Sequence, residues 1–252
     1  TLTANGNPTA TNFGPGLKED ITDTGVVFDG FGSFATSTYM VPPSGKTTER
    51  NRGRAIMAGG MKYPTANAEI IEMLEIQSGG QTQDFGDLIT ATSTSGPVSS
   101  STRGVFVAGL DPSGRTNVIE FVTIATTGNA TNFGDRTIAK NGPGGLSNQT
   151  RGIFAGGGAP NPQSDVIDYI TIATTGNALD FGNMTSANKN PAGLASPTRG
   201  VIAHGGDPFT DTMDYITIAT TGNAQDFGNT TNAAEGYLAC ASNIRGIIVG
   251  GY

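Results

Sequence analysis

The strongest constraint on this chain is a recurrence: the dipeptide Arg-Gly followed by an apolar run occurs five times within 252 residues. It stands as "RGRAIMAGG" from Arg52, "RGVFVAGL" from Arg103, "RGIFAGGG" from Arg151, "RGVIAHGG" from Arg199 and "RGIIVGGY" from Arg245, in steps of 51, 48, 48 and 46 residues. After each of the first four copies comes an acid within an apolar stretch and then a polar tail: "IIEMLEIQSGGQTQDFG", "VIEFVTIATTGNATNFG", "VIDYITIATTGNALDFG" and "MDYITIATTGNAQDFG". Self-similarity at a fixed period means that one structural unit stacks against copies of itself, because a single unit cannot bury its apolar faces alone.

The unit reads as strands. Alternation in "DYITIATT" puts Tyr169, Thr171 and Ala173 on one face and Ile170, Ile172 and Thr174 on the other, the pattern of a sheet packed on both sides. A 3.6-residue apolar spacing is absent, and 38 glycines with only 14% charged residues fit short strands joined by tight turns. "TTGNA" is a turn signal, since Gly176 accepts positive φ and Asn177 tolerates it, and "DFG" at Asp180, Phe181 and Gly182 opens the next strand. The expected division is "RGIFAGG" as an inner strand, "VIDYITIA" as a middle one and "NALDFGNM" as an outer one, with "AGLASPT" beginning the next unit. The last Arg-Gly strand ends at Tyr252 with no hairpin after it, while the N-terminal "TLTANGNPTATNFG" looks like a hairpin tail with no Arg-Gly strand before it. Pairing the two ends would close a ring and leave no free edge.

A period near fifty residues with four antiparallel strands is that of kelch blades. The expected fold is therefore an all-β, kelch-like β-propeller over residues 1–252, a single domain of five blades closed by its N- and C-terminal segments. The units run approximately 52–102, 103–150, 151–198 and 199–244, with a composite of 245–252 plus 1–51. Six blades are the alternative, because residues 15–51 hold a further "FG" at Phe31 and Gly32. The glycine doublet followed by an aromatic, as in Gly156, Gly157 and Tyr169, resembles the kelch pattern. The longer signature, Arg-Gly-apolar-Gly-Gly then "YITIATTGNAxDFG", resembles the kelch-type repeat proteins of tailed bacteriophages, especially marine ones. That resemblance implies a virion component, extracellular when mature, whose partners are other virion proteins or a host-surface glycan or protein. Kelch-like oxidases use copper held by Tyr, His and a cross-linked Cys; with one His and one Cys in distant copies, this chain departs from them, and no cofactor or metal is expected.

A residue present in every copy is better explained by blade geometry than by one active site. Arg52, Arg103, Arg151, Arg199 and Arg245 share one register, and Glu72, Glu120, Asp168 and Asp214 another. These positions are expected to interact within or between blades, each guanidinium bonding a carboxylate or strand-end carbonyls. The competing reading is an arginine ring lining a channel for an anion. Phe85, Phe133, Phe181 and Phe227 read as core between blades, Cys240 as inert core and His204 as a packed residue. Binding is expected where copies differ, in the stretch after the glycine doublet, which holds Lys62, Tyr63, Asp111, Arg115, Asn161, Gln163, Asp207 and Phe209. Such side chains suit a glycan or a protein surface, against the plainer reading of solvated turns.

A net charge of -7 with scattered basic residues argues against nucleic acid, whose binding depends on clustered Lys and Arg. No apolar run reaches the roughly twenty residues of a membrane helix, and "TLTANGNPTA" lacks the pattern of a secretion signal. The missing initiator Met points to a processed or trimmed product. No catalytic residue stands out. "GPGGLS" and "TTGNA" lack the setting of a phosphate loop. Three readings remain: a virion structural or host-recognition module, a lectin-like propeller, and a glycan hydrolase using two carboxylates from different blades.

Overall fold

The structure is a computed structural model that describes residues 53–62, 66–76, 80–93, 96–107, 109–158, 162–206, 208–242 and 244–251. It divides into residues 1–53 and 54–252, and the account below is of the second unit. The N-terminal tail, Phe31, Gly32, Arg52, Tyr63, Asn161 and Asp207 lie outside the described residues.

The described chain is all-β, in successive antiparallel sheets. The first holds β1 (Arg54–Ala58), β2 (Met61–Lys62), β3 (Ala66–Glu75) and β4 (Gln83–Thr92). The second holds β5 (Gly96–Ser99) and β6 (Arg103–Val107), then, after a small hairpin of β7 (Leu110–Asp111) and β8 (Gly114–Arg115), β9 (Val118–Thr123) and β10 (Thr131–Asp135). The third has β11 (Gly144–Ser147), β12 (Arg151–Ala155), β13 (Ser164–Thr171) and β14 (Leu179–Asn188). The fourth repeats this with β15 (Ala192–Ala195), β16 (Arg199–Ala203), β17 (Thr210–Thr217) and β18 (Gln225–Ala234). The chain ends in a two-stranded sheet of β19 (Tyr237–Ala241) and β20 (Gly246–Gly250). In the second, third and fourth sheets, neighbours in sequence are neighbours in space, as antiparallel hairpins require.

The Arg-Gly strand is an inner strand, and "AGLA" opens the fourth sheet as β15, as expected; the short strands pair with it so that Leu146 faces Ile153 and Leu194 faces Val201. These short strands, β5, β11, β15 and β19, lie side by side. One expectation changes: the register of the first copy moves by two residues. Met57 pairs with Glu72 as Phe106 pairs with Glu120 and Phe154 with Asp168, so Arg54, not Arg52, occupies the position of Arg103 and Arg151. Ala55 then takes the place that glycine holds at 104, 152 and 200. The dipeptide was the wrong guide there, since hydrogen-bond register follows the whole strand.

Three apolar clusters fill the spaces between successive sheets. One joins Leu146, Ile153, Ile167 and Phe181 of the third sheet to Ile202, Ile216 and Ile218 of the fourth. Phe85, Phe133 and Phe181 are buried in these layers as expected, but Phe227 is 47% exposed, because among the described residues no Gly-Asn loop of a following sheet docks beside it on β18. Cys240 is exposed rather than core, for a related reason. Its repeat equivalents Val98, Leu146 and Leu194 each lie over the Arg-Gly glycine of the following unit, Gly152, Gly200 and Gly246, whereas no described glycine lies against Cys240 in this way.

Sheets approach one another closely at the glycine of "DFG" and "NFG". A Cβ on Gly134 would stand 2.4 Å from the carbonyl oxygen of Gly176 in the next sheet, and its φ of 149° also disfavours a side chain. Gly134→Ala is therefore expected to lower stability by more than about 1 kcal/mol in urea denaturation.

Candidate functional site

The residues with chemical potential are those that recur, and the structure places most of them between sheets. The Arg103 guanidinium donates from Nη1 to the carbonyl of Ile172 at 2.9 Å, and Arg151 does so to Ile218 at 2.8 Å, each reaching the next sheet. Arg54 reaches Ile124 in the same way at 2.6 Å and also pairs with Glu75. Arg103, Arg151 and Arg199 lie over the rings of Phe121, Tyr169 and Tyr215 with 4.6, 4.7 and 4.8 Å to the centroids, cation-π contacts worth about 0.5–1 kcal/mol each at exposed sites. Of the two partners expected for these arginines, strand-end carbonyls are therefore the ones used, and the shared acids are not.

The acids reach the other way, to the outer strand of the preceding sheet. Glu120 Oε2 accepts from the Ile89 amide at 2.8 Å. Asp168 accepts from Arg136 Nε at 2.9 Å and from the Thr137 hydroxyl at 2.5 Å, in an ion pair with no solvent exposure on either side chain. Asp214 accepts from the Thr185 amide and hydroxyl, and its Oδ2 lies 2.8 Å from His204 Nε2. Glu72 takes a bond from Thr82 of its own sheet. Burial pushes the Asp214 carboxyl up, but the bonds from His204 and Thr185 outweigh it and leave the group below its ordinary value. Burial lowers the Arg136 guanidinium against the opposing pull of Asp168. His204 is buried and satisfied, with Ser186 Oγ at its other nitrogen.

A third link had no expectation behind it. The "TTGNA" loop of each sheet docks on the outer strand of the sheet before it: Gly128, Gly176 and Gly222 amides donate to Phe85, Phe133 and Phe181 carbonyls, each at 2.7 Å. The next residue, Asn129, Asn177 or Asn223, accepts from the amide of Asp87, Asp135 or Asn183 at 3.1 Å. The repetition of Gly-Asn at a fixed distance from "FG" was the available signal.

The variable segments run from each Arg-Gly strand (β1, β6, β12 and β16) to the acid-bearing strand that pairs with it (β3, β9, β13 and β17), so they share one end of the strands. There, Phe209 and Arg115 are exposed, Gln163 is partly buried just before β13, and Lys62 closes β2. Asp111 is committed to its own turn, accepting from the Ser113 hydroxyl and the amides of Ser113 and Gly114; the hydroxyl bond leads in holding its carboxyl below the usual range. The structure thus gathers the described residues of this set at one end of the strands. Lys189 and Glu235 form an ion pair at 3.2 Å in the connections at that end. Among the described residues no group of three or more His, Cys, Asp or Glu is placed to hold a metal ion, and no helix is long and apolar enough to cross a membrane. No protein-family model matches the chain, and no curated protein is significantly similar to it in sequence.

Glu120 is the strained member of the acid series. Its Oε1 is buried with no partner, and burial raises its pKa above the ordinary 4.5, against the bonds from the Ile89 and Thr90 amides. The folded state then holds this proton to higher pH than the unfolded state, so stability falls as pH rises from about 4.5 through the raised value. Asp214 acts in the opposite sense, its contribution being lost only as pH falls below its ordinary 3.8. Urea midpoints measured from pH 4.5 to 7 are expected to show a decline that Glu120→Gln reduces.

Proposed function

We propose that the chain is a kelch-like β-propeller of five blades, closed by its N- and C-terminal segments, and that it binds without catalysis as a bacteriophage virion component. The position is in a tail fibre, a tail tip or a capsid-attached module that engages the host surface. One observation carries the binding role: the shared ionisable residues are largely engaged between sheets, while the residues that differ from copy to copy lie together at one end of the strands. Recurring side chains belong to the scaffold, so specificity falls to the end loops.

The ring is supported by two features. The cavity of about 460 Å³ along the short strands is lined by residues of both the first and last of the described sheets, Ala55 and Cys240 among them. In a ring the unit following Cys240 is the first, and the repeat then sets Cys240 over Ala55. A larger residue than glycine would there meet a smaller one than leucine, which conserves the packed volume.

The phage assignment rests on the sequence signature alone. Its test is mass spectrometry of purified particles together with host-cell binding by the isolated protein. The expected result is the chain in particles, and cell binding weakened about tenfold or more by Phe209→Ala with Arg115→Ala. Absence from particles contradicts the virion role, and undiminished binding contradicts the loops as its seat.

A further inference from the structure

At the junction of the third and fourth sheets, three side chains stand in one line of hydrogen bonds. Asp214 of β17 has its Oδ2 2.8 Å from His204 Nε2, and the other ring nitrogen, Nδ1, lies 3.2 Å from the hydroxyl of Ser186 on β14. Asp214 and His204 have no solvent exposure, whereas Ser186 is exposed. The carboxylate is fixed by two further bonds, from the Thr185 hydroxyl at 2.6 Å and the Thr185 amide at 2.8 Å. Burial opposes its charge, but these bonds and that from His204 outweigh burial and favour the ionised form. An ionised carboxylate only accepts, so in the neutral imidazole Nε2 carries the proton and Nδ1 turns its lone pair to the Ser186 hydroxyl.

The acid recurs from sheet to sheet, but the other two members do not. His204 donates its amide to the Thr212 carbonyl as Gly59 does to Ile70 and Gly156 to Val166, so it fills a glycine position. Those glycines have φ of 70° and 66°, and a Cβ on either would stand 2.7 or 2.8 Å from the carbonyl oxygen of Thr92 or Asn188; His204 leaves that region of φ, and its ring is accommodated. Ser186 stands five residues after Phe181, where Thr90 follows Phe85, Ile138 follows Phe133 and Asn232 follows Phe227. Asp168, the equivalent acid, is satisfied by Arg136 and Thr137 with no imidazole, so the scaffold does not require one. Both residues lie at the end of the strands where the variable segments gather: His204 directly follows β16, and Ser186 is two residues from Asn188, the partner of Ser164 at the start of β13.

We propose that Ser186 is an activated nucleophile that takes the acyl group of an activated ester, with His204 as its base and Asp214 positioning the ring. The ring nitrogens serve in the opposite order to a serine-protease triad, which leaves the proton transfer unchanged, since either nitrogen is basic while the other holds the proton. Ser186 Oγ forms a bond to the ester carbonyl carbon as its proton passes to Nδ1. The bond from that carbon to the leaving oxygen then breaks, and the oxygen departs with the electron pair and takes the proton from Nδ1. Because the imidazole has no exposure of its own, its approach from solvent is through position 186. Once Oγ is esterified, no water replaces it at Nδ1, and the acyl group stays. The step is a single transfer that holds a ligand covalently, without turnover, and it depends neither on the ring closure nor on the phage reading.

The test is incubation of the full chain with p-nitrophenyl acetate, with peptide mass spectrometry following the acetyl group over time at Ser186 and at Ser113. Ser113 is the internal reference, an exposed serine whose hydroxyl donates straight to the Asp111 carboxylate with no imidazole between. The expected result is acetylation of Ser186 about a hundredfold faster than of Ser113, the scale of general-base assistance. His204→Gln, whose amide keeps a donor for Asp214 and loses the base, is expected to bring Ser186 down to the rate of Ser113, and Ser186→Ala to remove the label. Acetylation of wild-type Ser186 no faster than that of Ser113 overturns the proposal, and this comparison needs no variant to fold. So does an unchanged rate in a His204→Gln chain that keeps the wild-type circular dichroism. Phenolate release that depends on Ser186 and continues past one equivalent per chain overturns the single transfer.

Discussion

Everything in this fold depends on sheets that join through backbone as well as through side chains. The docking of the Gly-Asn loop onto the preceding outer strand places two amide-to-carbonyl bonds and one side-chain bond at each junction, for example from Gly176 and Ala178 and to Asn177. Apolar packing alone would let one sheet slide on another, since burial is nearly indifferent to a small shift in register. Backbone bonds at 2.7 to 2.8 Å are not indifferent. They demand glycine on both sides of the contact, which explains why glycine stays while neighbouring residues vary.

On that frame, one position has been solved three ways. Asp168 is met by a buried arginine and a threonine, Asp214 by a histidine and a threonine, and Glu120 by main-chain amides with one oxygen left over. A buried pair that is fully bonded fixes register at some cost in desolvation, whereas a half-bonded carboxylate carries that cost with less return. The longer glutamate and the loss of threonine at Ile89 account for the difference at Glu120. Three arginines add a second anchor by spanning from a ring in their own sheet or an acid beside them to a carbonyl in the next.

Much of this was legible in the sequence. The period, the strand alternation of "DYITIATT" and the scaffold role of the shared arginines and acids all follow from recurrence. The pairing partners did not, because Arg103 and Ile172 are a unit and a half apart and nothing local links them. Arg52 misled because a dipeptide repeats by accident more easily than a strand's pairing, and Ala55 hid the true register at Arg54. Cys240 and Phe227 misled because the sequence of a core position is the same whether or not its cover is present. The variable end loops were readable as a set, but Asp111 proved to be spent on its own turn.

The central claim, that these units form one closed ring, is most directly tested by small-angle X-ray scattering of the full chain at several concentrations. A closed, compact fold of 252 residues predicts a radius of gyration of about 18 Å that does not change with concentration. A clearly larger value, or one that grows with concentration as open edges pair between molecules, would contradict it.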